Sequence, residues 1–262
     1  MTLKRMARYL LALALVATVL VTITGCIGPR VTGSGNLETR EMDYSDFTRL
    51  DVSSLFQVTV TRADSFSVSL TLDDNLYDYL IIRRSGSTLQ LGLRWGTYLH
   101  ATLKANITMP ELRGLDLSGA SRGDVSGFSS LDSLVIDVSG ASALYIDDVT
   151  AGKTNFDISG ASRVSGSMET ADADFNVSGA STVELDGSAD DITVDASGAS
   201  SARLADFVVT DAGVELSGAS NATVNASGEL DIDLSGASTL HYLGSPTLRR
   251  VSVSGASTVQ QR

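Results

Sequence analysis

The sequence predicts an all-β protein: a parallel β-solenoid of about eight coils behind an N-terminal β-rich cap. Three observations carry that prediction. The tetrapeptide SGAS begins at Ser118, Ser139, Ser159, Ser178, Ser197, Ser217, Ser235 and Ser254, in steps of 21, 20, 19, 19, 20, 18 and 19 residues. A fixed period near that length is the signature of a stacked repeat. The positions one and three before each first Ser are apolar in all eight copies, while the position between them is polar. That is a strand with one face buried and one wet, and nothing within a period has helical spacing.

The elements follow in chain order. Residues 1–25, "MTLKRMARYLLALALVATVLVTITG", place Lys4, Arg5 and Arg8 ahead of an apolar run. This is the layout of an export signal; an uncleaved membrane anchor is the competing reading, because the run approaches the shortest spanning length. Ile23-Thr24-Gly25-Cys26 favours the first, since it resembles a lipobox and Cys26 is the only cysteine in the chain. Lipidation of Cys26 is therefore expected, with the protein exported and anchored to a membrane at the outer face of the cell or its envelope. No thiol then remains for disulfides. Residues 26–35 read as a linker reaching at most about 30 Å when extended.

Removing the leader leaves 16 Lys+Arg against 31 Asp+Glu, a net charge of −15. So acidic a surface argues against a nucleic-acid partner. It fits calcium, cationic partners or simple solubility.

Residues 36–110 read as the non-repeating cap. "FTRLDVSSLFQVTVTRAD" and "FSVSLTL" alternate with period two, as half-buried strands do. "DDNLYDYL" places Leu76, Tyr79 and Leu80 at helical spacing after an Asp suited to capping a short helix. "RRSGSTLQLGLR" predicts a hairpin turning at Ser85-Gly86-Ser87, and "HATLKANITMP" a further strand.

Residues 111–262 are the solenoid. In the strand before SGAS, Leu115, Ile136, Phe156, Phe175, Val194, Val214, Ile232 and Val251 form one apolar column. Leu117, Val138, Ile158, Val177, Ala196, Leu216, Leu234 and Val253 form the other. A shorter strand after SGAS has a looser inward column, with Leu144, Val164, Val183 and Leu240 interrupted by Gly123, Ala202 and Ala222. Coils stack about 4.8 Å apart, so the seven steps span about 34 Å, and each large inward side chain contributes roughly 1.5–3 kcal/mol on burial. A leucine-rich repeat shares the "LDLSGAS" opening, but it requires a later Asn or Cys and an outer helical segment that these periods lack.

SGAS itself reads as the corner. Gly permits backbone angles and close approaches denied to other residues, and stacked Ser hydroxyls could satisfy one another along a ladder. Whether Ala or the second Ser points inward is left open by the alternation. A nucleophilic serine is the sharp alternative and fits poorly. A G-x-S-x-G elbow needs a second Gly and a nearby His, whereas SGAS lacks that Gly and the chain has only His100 and His241.

The "GSGN" start, "FTRLDVSSLFQVTVTR", "LTLDDNLYDYL" and "ITMPELRGLDLSGAS", followed by SGAS repeats, together resemble the head GIN domain family of autotransporter adhesins. The likeness covers residues 33–262. It implies a right-handed β-helix at the cell surface and brings no catalytic residues with it.

Two surface features stand out as candidates. The polar column contains Asp116, Asp137, Asp157, Asp195, Glu215 and Asp233, with Asn176 and Ser252 completing it. Carboxylates about 4.8 Å apart repel by about 0.9 kcal/mol in water, so the column is tolerable as a solvated face, and weak divalent-cation binding is the alternative. "LRWGTYLH" holds Trp95 and Tyr98, residues suited to stacking on a sugar, although packing over the first coil explains them more simply. Some β-helices cleave polysaccharides with acids and bases around an aromatic-lined groove. The solenoid's polar columns read as lacking aromatics, and Lys153 is its only lysine. The expectation is therefore a non-catalytic adhesin-like or structural envelope module without cofactor, the alternative being a carbohydrate-active protein. Its expected partners are the membrane, through the lipid, and a cell-surface protein or polysaccharide. "VSVSGASTVQQR" stops in mid-coil, so self-association through the C-terminal edge is expected unless Gln260, Gln261 and Arg262 blunt it.

Overall fold

The computed structural model describes residues 28–262; Cys26 and the signal segment lie outside the described residues. Every SGAS corner joins two strands that stack, parallel and in register, on their counterparts one period away. Before the corner the order of stacking is β10 (Gly114–Leu117), β12 (Leu134–Val138) and then the C-terminal half of β13 (Ala143–Ile158). It continues through the same halves of β14 (Arg163–Val177), β15 (Thr182–Ala196) and β16 (Ser201–Leu216), then β18 (Glu229–Leu234) and β20 (Thr247–Val253). After the corner β11 (Arg122–Ser126) stacks on the N-terminal half of β13. The stack then runs through the same halves of β14 to β16 to β17 (Asn221–Ala226), β19 (Thr239–Gly244) and β21 (Thr258–Gln261).

Both apolar columns point inward. Leu117, Val138, Ile158 and Leu234 are fully buried, and Phe156 and Phe175 stack with ring centroids 4.8 Å apart and planes 8° apart. Eight corners are joined by seven full turns of chain, so the repeat makes about seven turns where about eight coils were expected.

The register does not begin at residue 111. The strands β3 (Arg49–Val52) and β4 (Gln57–Arg62) pair in register with β10 and β11, Leu50 beside Leu115 and Asp51 beside Asp116. Ser53-Ser54-Leu55-Phe56 thus occupies the place of an SGAS corner. Ser54 and Leu55 both have positive φ, 65° and 68°, as do Gly119 and Ala120 at 63° and 65°.

The chain then leaves the stack to build its cover. An antiparallel pair, β2 (Leu37–Glu41) and β5 (Ser67–Asp73), joins β9 (Leu103–Met109), which lies parallel on β4. The expected hairpin is β6 (Leu80–Ser85) and β7 (Thr88–Leu93), turning at Gly86-Ser87, with β7 parallel on β3. Phe47, Leu70, Leu72 and Leu76 fill the space beneath without exposure.

The short helix is a 3-10 turn over Asp74–Tyr79, and Asp73 makes no side-chain cap bond to it. Its carboxylate instead accepts from Gly35 N–H and Thr102 N–H, each at 2.7 Å. Part of the segment expected to be a linker is consequently held down. Strand β1 (Arg30–Thr32) pairs with β8 (Thr97–Leu99), and Gly33 N–H donates to the Leu99 carbonyl at 2.9 Å. Among the described residues no helix is long and apolar enough to cross a membrane.

Candidate functional site

The corner comes first, because it sets which residues face out. The second Ser turns inward in the first seven copies, where Ser121, Ser142, Ser162, Ser181, Ser200, Ser220 and Ser238 are at most 2 % exposed; Ser257 in the last copy is partly exposed. The Ala before this Ser is exposed in every coil. No hydroxyl ladder forms in this column. Ser121, Ser200 and Ser238 donate their hydroxyls to the carbonyl three residues back, at 2.7–2.8 Å, while Ser142, Ser181 and Ser257 accept from a backbone N–H one coil earlier. The inward serines are therefore internal struts with no access to a substrate.

Outside, the strands before the corner carry an acidic face and the strands after it a mixed face with an excess of cations. The face before the corner bears Asp51, Asp116, Asp137, Asp157, Asn176, Asp195, Glu215 and Asp233 in one register. Burial, with Asp51 and Asp137 as neighbours, raises the Asp116 carboxyl above its ordinary pKa. Burial and Asp157 raise Asp137. From Asp157 onward the column is exposed. On the same side Lys153 bridges to Asp174 at 2.7 Å, which with Thr193 holds the Asp174 pKa down.

Gly213 supplies no side chain between Thr193 and Asp231, and a shallow depression of about 370 Å³ opens there, flanked by Asp195, Glu215, Asp233 and Arg250. The carboxylates form a row, and no group of three His, Cys, Asp or Glu among the described residues is arranged to hold a metal ion.

The face after the corner differs in kind. Its two outward columns carry Lys104, Arg122, Arg163 and Arg203 with the carboxylate of Asp124, and Tyr145, register partner of Asp124, stands half-exposed in the coil between Arg122 and Arg163. Arg163 and Arg203 share one carboxylate of Glu184, at 2.6 and 3.4 Å. Sequence reasoning missed this face because it aligned only the inward positions of the second strand. Aligning the outward ones four and six residues past each first Ser finds it, and Tyr145 corrects the expectation that the polar columns lack aromatics.

Trp95 and Tyr98 lie beside the Ser53–Leu55 corner. Trp95 is 65 % exposed, and a Cβ placed on Gly28 would lie 3.0 Å from its ring. Tyr98 is half-buried: its hydroxyl donates to the Arg94 carbonyl at 2.6 Å and its ring meets Tyr79 edge-on at 5.9 Å. Burial and the neighbouring Tyr79 raise its pKa. The two are not arranged as a stacking pair; Tyr98 is fixed by the cap. His100 and His241 sit beside separate depressions on the basic face, His100 with Tyr98 and Arg122, His241 with Arg203 and Asp206.

These features define a class: a capped parallel β-solenoid whose chemistry lies on long repeating faces. Its family is equally definite. The chain belongs to the family described as "Putative auto-transporter adhesin, head GIN domain", whose model matches residues 46–246. Three solved structures share the fold. A "putative adhesin" from Parabacteroides merdae ATCC 43184 is 18% identical, with 89% of this chain and 99% of that one covered and a TM-score of 0.81. A "putative adhesin" from Parabacteroides distasonis ATCC 8503 is 20% identical over 89% and 100%, at 0.82. A "putative lipid binding protein" from the same organism is 22% identical over 89% and 99%, also at 0.82. At these identities the likeness is one of fold. Among curated proteins none matches the chain.

Proposed function

We propose that the chain is a non-catalytic, adhesin-like binding module held at the outer face of the cell envelope by a lipid on Cys26. The observation that carries this reading is the family match over residues 46–246, which spans the first coil and nearly all of the repeat. The distribution of chemistry supports it. The second serine of each corner faces inward, and the polar groups outside are spread over whole faces rather than converging on one cleft. Repeat scaffolds typically bind through such extended surfaces. The docking of β1 against β8 fits a body carried close to its anchor, with few residues left between Cys26 and the folded part.

The test has two parts. Cells producing the full chain are labelled with a fatty acid, fractionated and treated with external protease; their adhesion to immobilised glycans and host matrix proteins is then measured against cells lacking the chain. Label incorporation that disappears in Cys26→Ser, together with adhesion that depends on the chain, is the expected result. An unlabelled chain in the soluble fraction, or adhesion unaffected by its loss, overturns the reading.

A further inference from the structure

The cations after the corner recur at every second coil, where the acidic column before it recurs at nearly every one. Lys104 pairs with Gln57 and Gln57 with Arg122, so the two cations are two coils apart. Arg122 pairs with Ala143 and Ala143 with Arg163, again two coils. Arg163 pairs with Thr182 and Thr182 with Ser201, the coil that carries Arg203 in the adjoining outward column. A cation therefore recurs at every second coil, about 9.6 Å apart for strands stacked about 4.8 Å apart. That is close to the length of one disaccharide in an extended polysaccharide.

Three further observations bear on the occupant. Lys104 and Arg122 make no ion pair among the described residues, and Arg163 and Arg203 have one carboxylate between them. Four cations stand against two carboxylates, Asp124 and Glu184, so net positive charge runs along these outward columns of a chain whose net charge is −12. Tyr145, 49 % exposed, has Asp124 beside it in the preceding coil, but the small residues Ala143 two positions before it and Ser165 beside it in the next coil leave that side of its ring open for a pyranose to lie against. Toward the C-terminal side the same columns are filled with hydroxyls and amides, Thr182, Ser201, Asn221 and Thr223, able to exchange hydrogen bonds with sugar hydroxyls. The guanidinium fork matches a carboxylate in two parallel bonds.

We propose that this face binds an acidic polysaccharide lying along the solenoid axis, one carboxylate per disaccharide meeting the row Lys104, Arg122, Arg163 and Arg203, with a sugar ring over Tyr145. The proposal rests on the reading of the chain as an adhesin-like module and names the ligand chemistry and the face. The regular two-coil spacing favours a repeating ligand over a folded protein or a fluid lipid surface.

Hyaluronan, an alternating polymer with one carboxylate per disaccharide, is the probe, and dextran is the neutral control. The full chain is measured against both, with phosphatidylglycerol vesicles in a parallel arm. Expected is hyaluronan binding that weakens as salt rises, with no comparable binding of dextran. The triple variant R122Q/R163Q/R203Q loses at least tenfold in affinity, and Tyr145→Ala loses several-fold. All four side chains are exposed, so melting midpoints should hold, and circular dichroism checks that the variants fold. On the opposite face D195N/E215Q/D233N binds no more weakly than the parent.

Absence of hyaluronan binding at low salt, or full affinity in the triple variant, overturns the proposal. So does binding to the vesicles that equals or exceeds that to hyaluronan and is lost in the triple variant, which would assign the face to a lipid surface. Adhesion of cells carrying each variant separates the two levels. If the triple variant adheres like the parent, the module stands and the face is wrong; if the parent does not adhere, the module reading itself fails.

Discussion

Gly198 lies directly against Gly179 one coil away: a Cβ on Gly198 would sit 2.6 Å from the Gly179 carbonyl oxygen. That oxygen accepts from Ala199 N–H at 2.8 Å, and the same bond repeats from Ala161 to Ala256 at 2.7–2.8 Å. Gly198 also has φ of +76°, a region that costs a residue with a Cβ about 1 kcal/mol or more. Both conditions fall on one atom. Gly198→Ala should therefore destabilise by about 2–4 kcal/mol, strain and the displaced corner together. The exposed neighbour should be insensitive, Ala199→Ser changing stability by about 0.5 kcal/mol at most. Urea unfolding of the two variants decides it; equal midpoints would show that the corners have slack the geometry does not reveal.

The inward serines should not behave alike, although their sequence context is the same. Ser200 donates its hydroxyl to the Ser197 carbonyl at 2.8 Å, whereas Ser162 Oγ and Ser220 Oγ are buried without a partner. Removing a satisfied buried hydroxyl costs about 1 kcal/mol, and removing an unsatisfied one recovers part of its desolvation penalty. Ser200→Ala should lower stability by about 1 kcal/mol, while Ser162→Ala should leave it unchanged or raise it slightly. Paired thermal melts test the difference. A loss of the same size at both sites would mean that Ser162 finds a bonded water or a second rotamer.

Why the repeat was legible and the first coil was not follows from the same corners. SGAS recurs unchanged, and the apolar-polar-apolar pattern of Leu115, Asp116 and Leu117 recurs ahead of it, so period and alternation alone predict the stack. The corner at Ser53-Ser54-Leu55-Phe56 keeps the conformation of the Gly119-Ala120 corner without its glycine. Phe56 takes the place of the inward Ser121 and is fully buried. A search for SGAS passes over it, although "LDVSSLFQV" keeps the alternation. Chain order conceals the rest: β7 and β9, later in sequence, stack on the outer side of β3 and β4, and nothing local announces that return. The candidate faces divide in the same way. The acidic column was visible because it lies between two apolar columns, while the basic row is spread over two outward columns and alternate coils.

Ser54 offers a test of that reading of the first corner. Its φ of 65° matches Gly119 at 63°, but it carries a Cβ there. Ser54→Gly relieves about 1 kcal/mol of left-handed strain and returns part of it as extra freedom in the unfolded chain. A net gain of about 0.5 kcal/mol is expected in urea unfolding. A loss would indicate that the Ser54 side chain makes up for its own strain, for instance through the 3.4 Å contact of its hydroxyl with Ser53 Oγ.

Stability should also depend on pH through the upper part of the acidic column. Asp116 and Asp137 have pKa values raised in the folded protein, by burial first and then by neighbouring carboxylates. A carboxyl whose folded pKa lies above its unfolded value binds its proton more tightly when folded. Its penalty is therefore fully present above the folded pKa and disappears as pH falls toward the unfolded one. Asp174 acts in the opposite sense, because its lowered pKa contributes stability that is lost on acidification. Asp116→Asn removes repulsion from both Asp51 and Asp137, at about 0.9 kcal/mol per neighbour before salt screening. It should raise stability at pH 7 by about 1 kcal/mol and by progressively less as the pH is lowered through the carboxylate range. A gain that does not shrink with acidification would assign the effect to packing instead of charge.

Asp73 carries the last prediction, because one buried carboxylate holds the N-terminal segment against the cap. It is 1 % exposed; one oxygen accepts from Gly35 N–H and the other from Thr102 N–H, each at 2.7 Å. Gly33 passes so close that a Cβ there would lie 2.6 Å from Asp73 Oδ2. Asp73→Ala strands both N–H groups, at about 1–3 kcal/mol for each that stays buried. The loss should be local, since β1 meets the remainder of the protein mainly through its short pairing with β8. Hydrogen exchange should accelerate at residues 30–35 and 97–102, while protection in β14 and β15 is unchanged. Asp73→Asn should fall between the two, because its amide keeps one acceptor and turns a donor toward the other N–H. If Asp73→Ala leaves exchange in both segments as it was, the β1–β8 pairing alone holds the segment and the carboxylate is not its clamp.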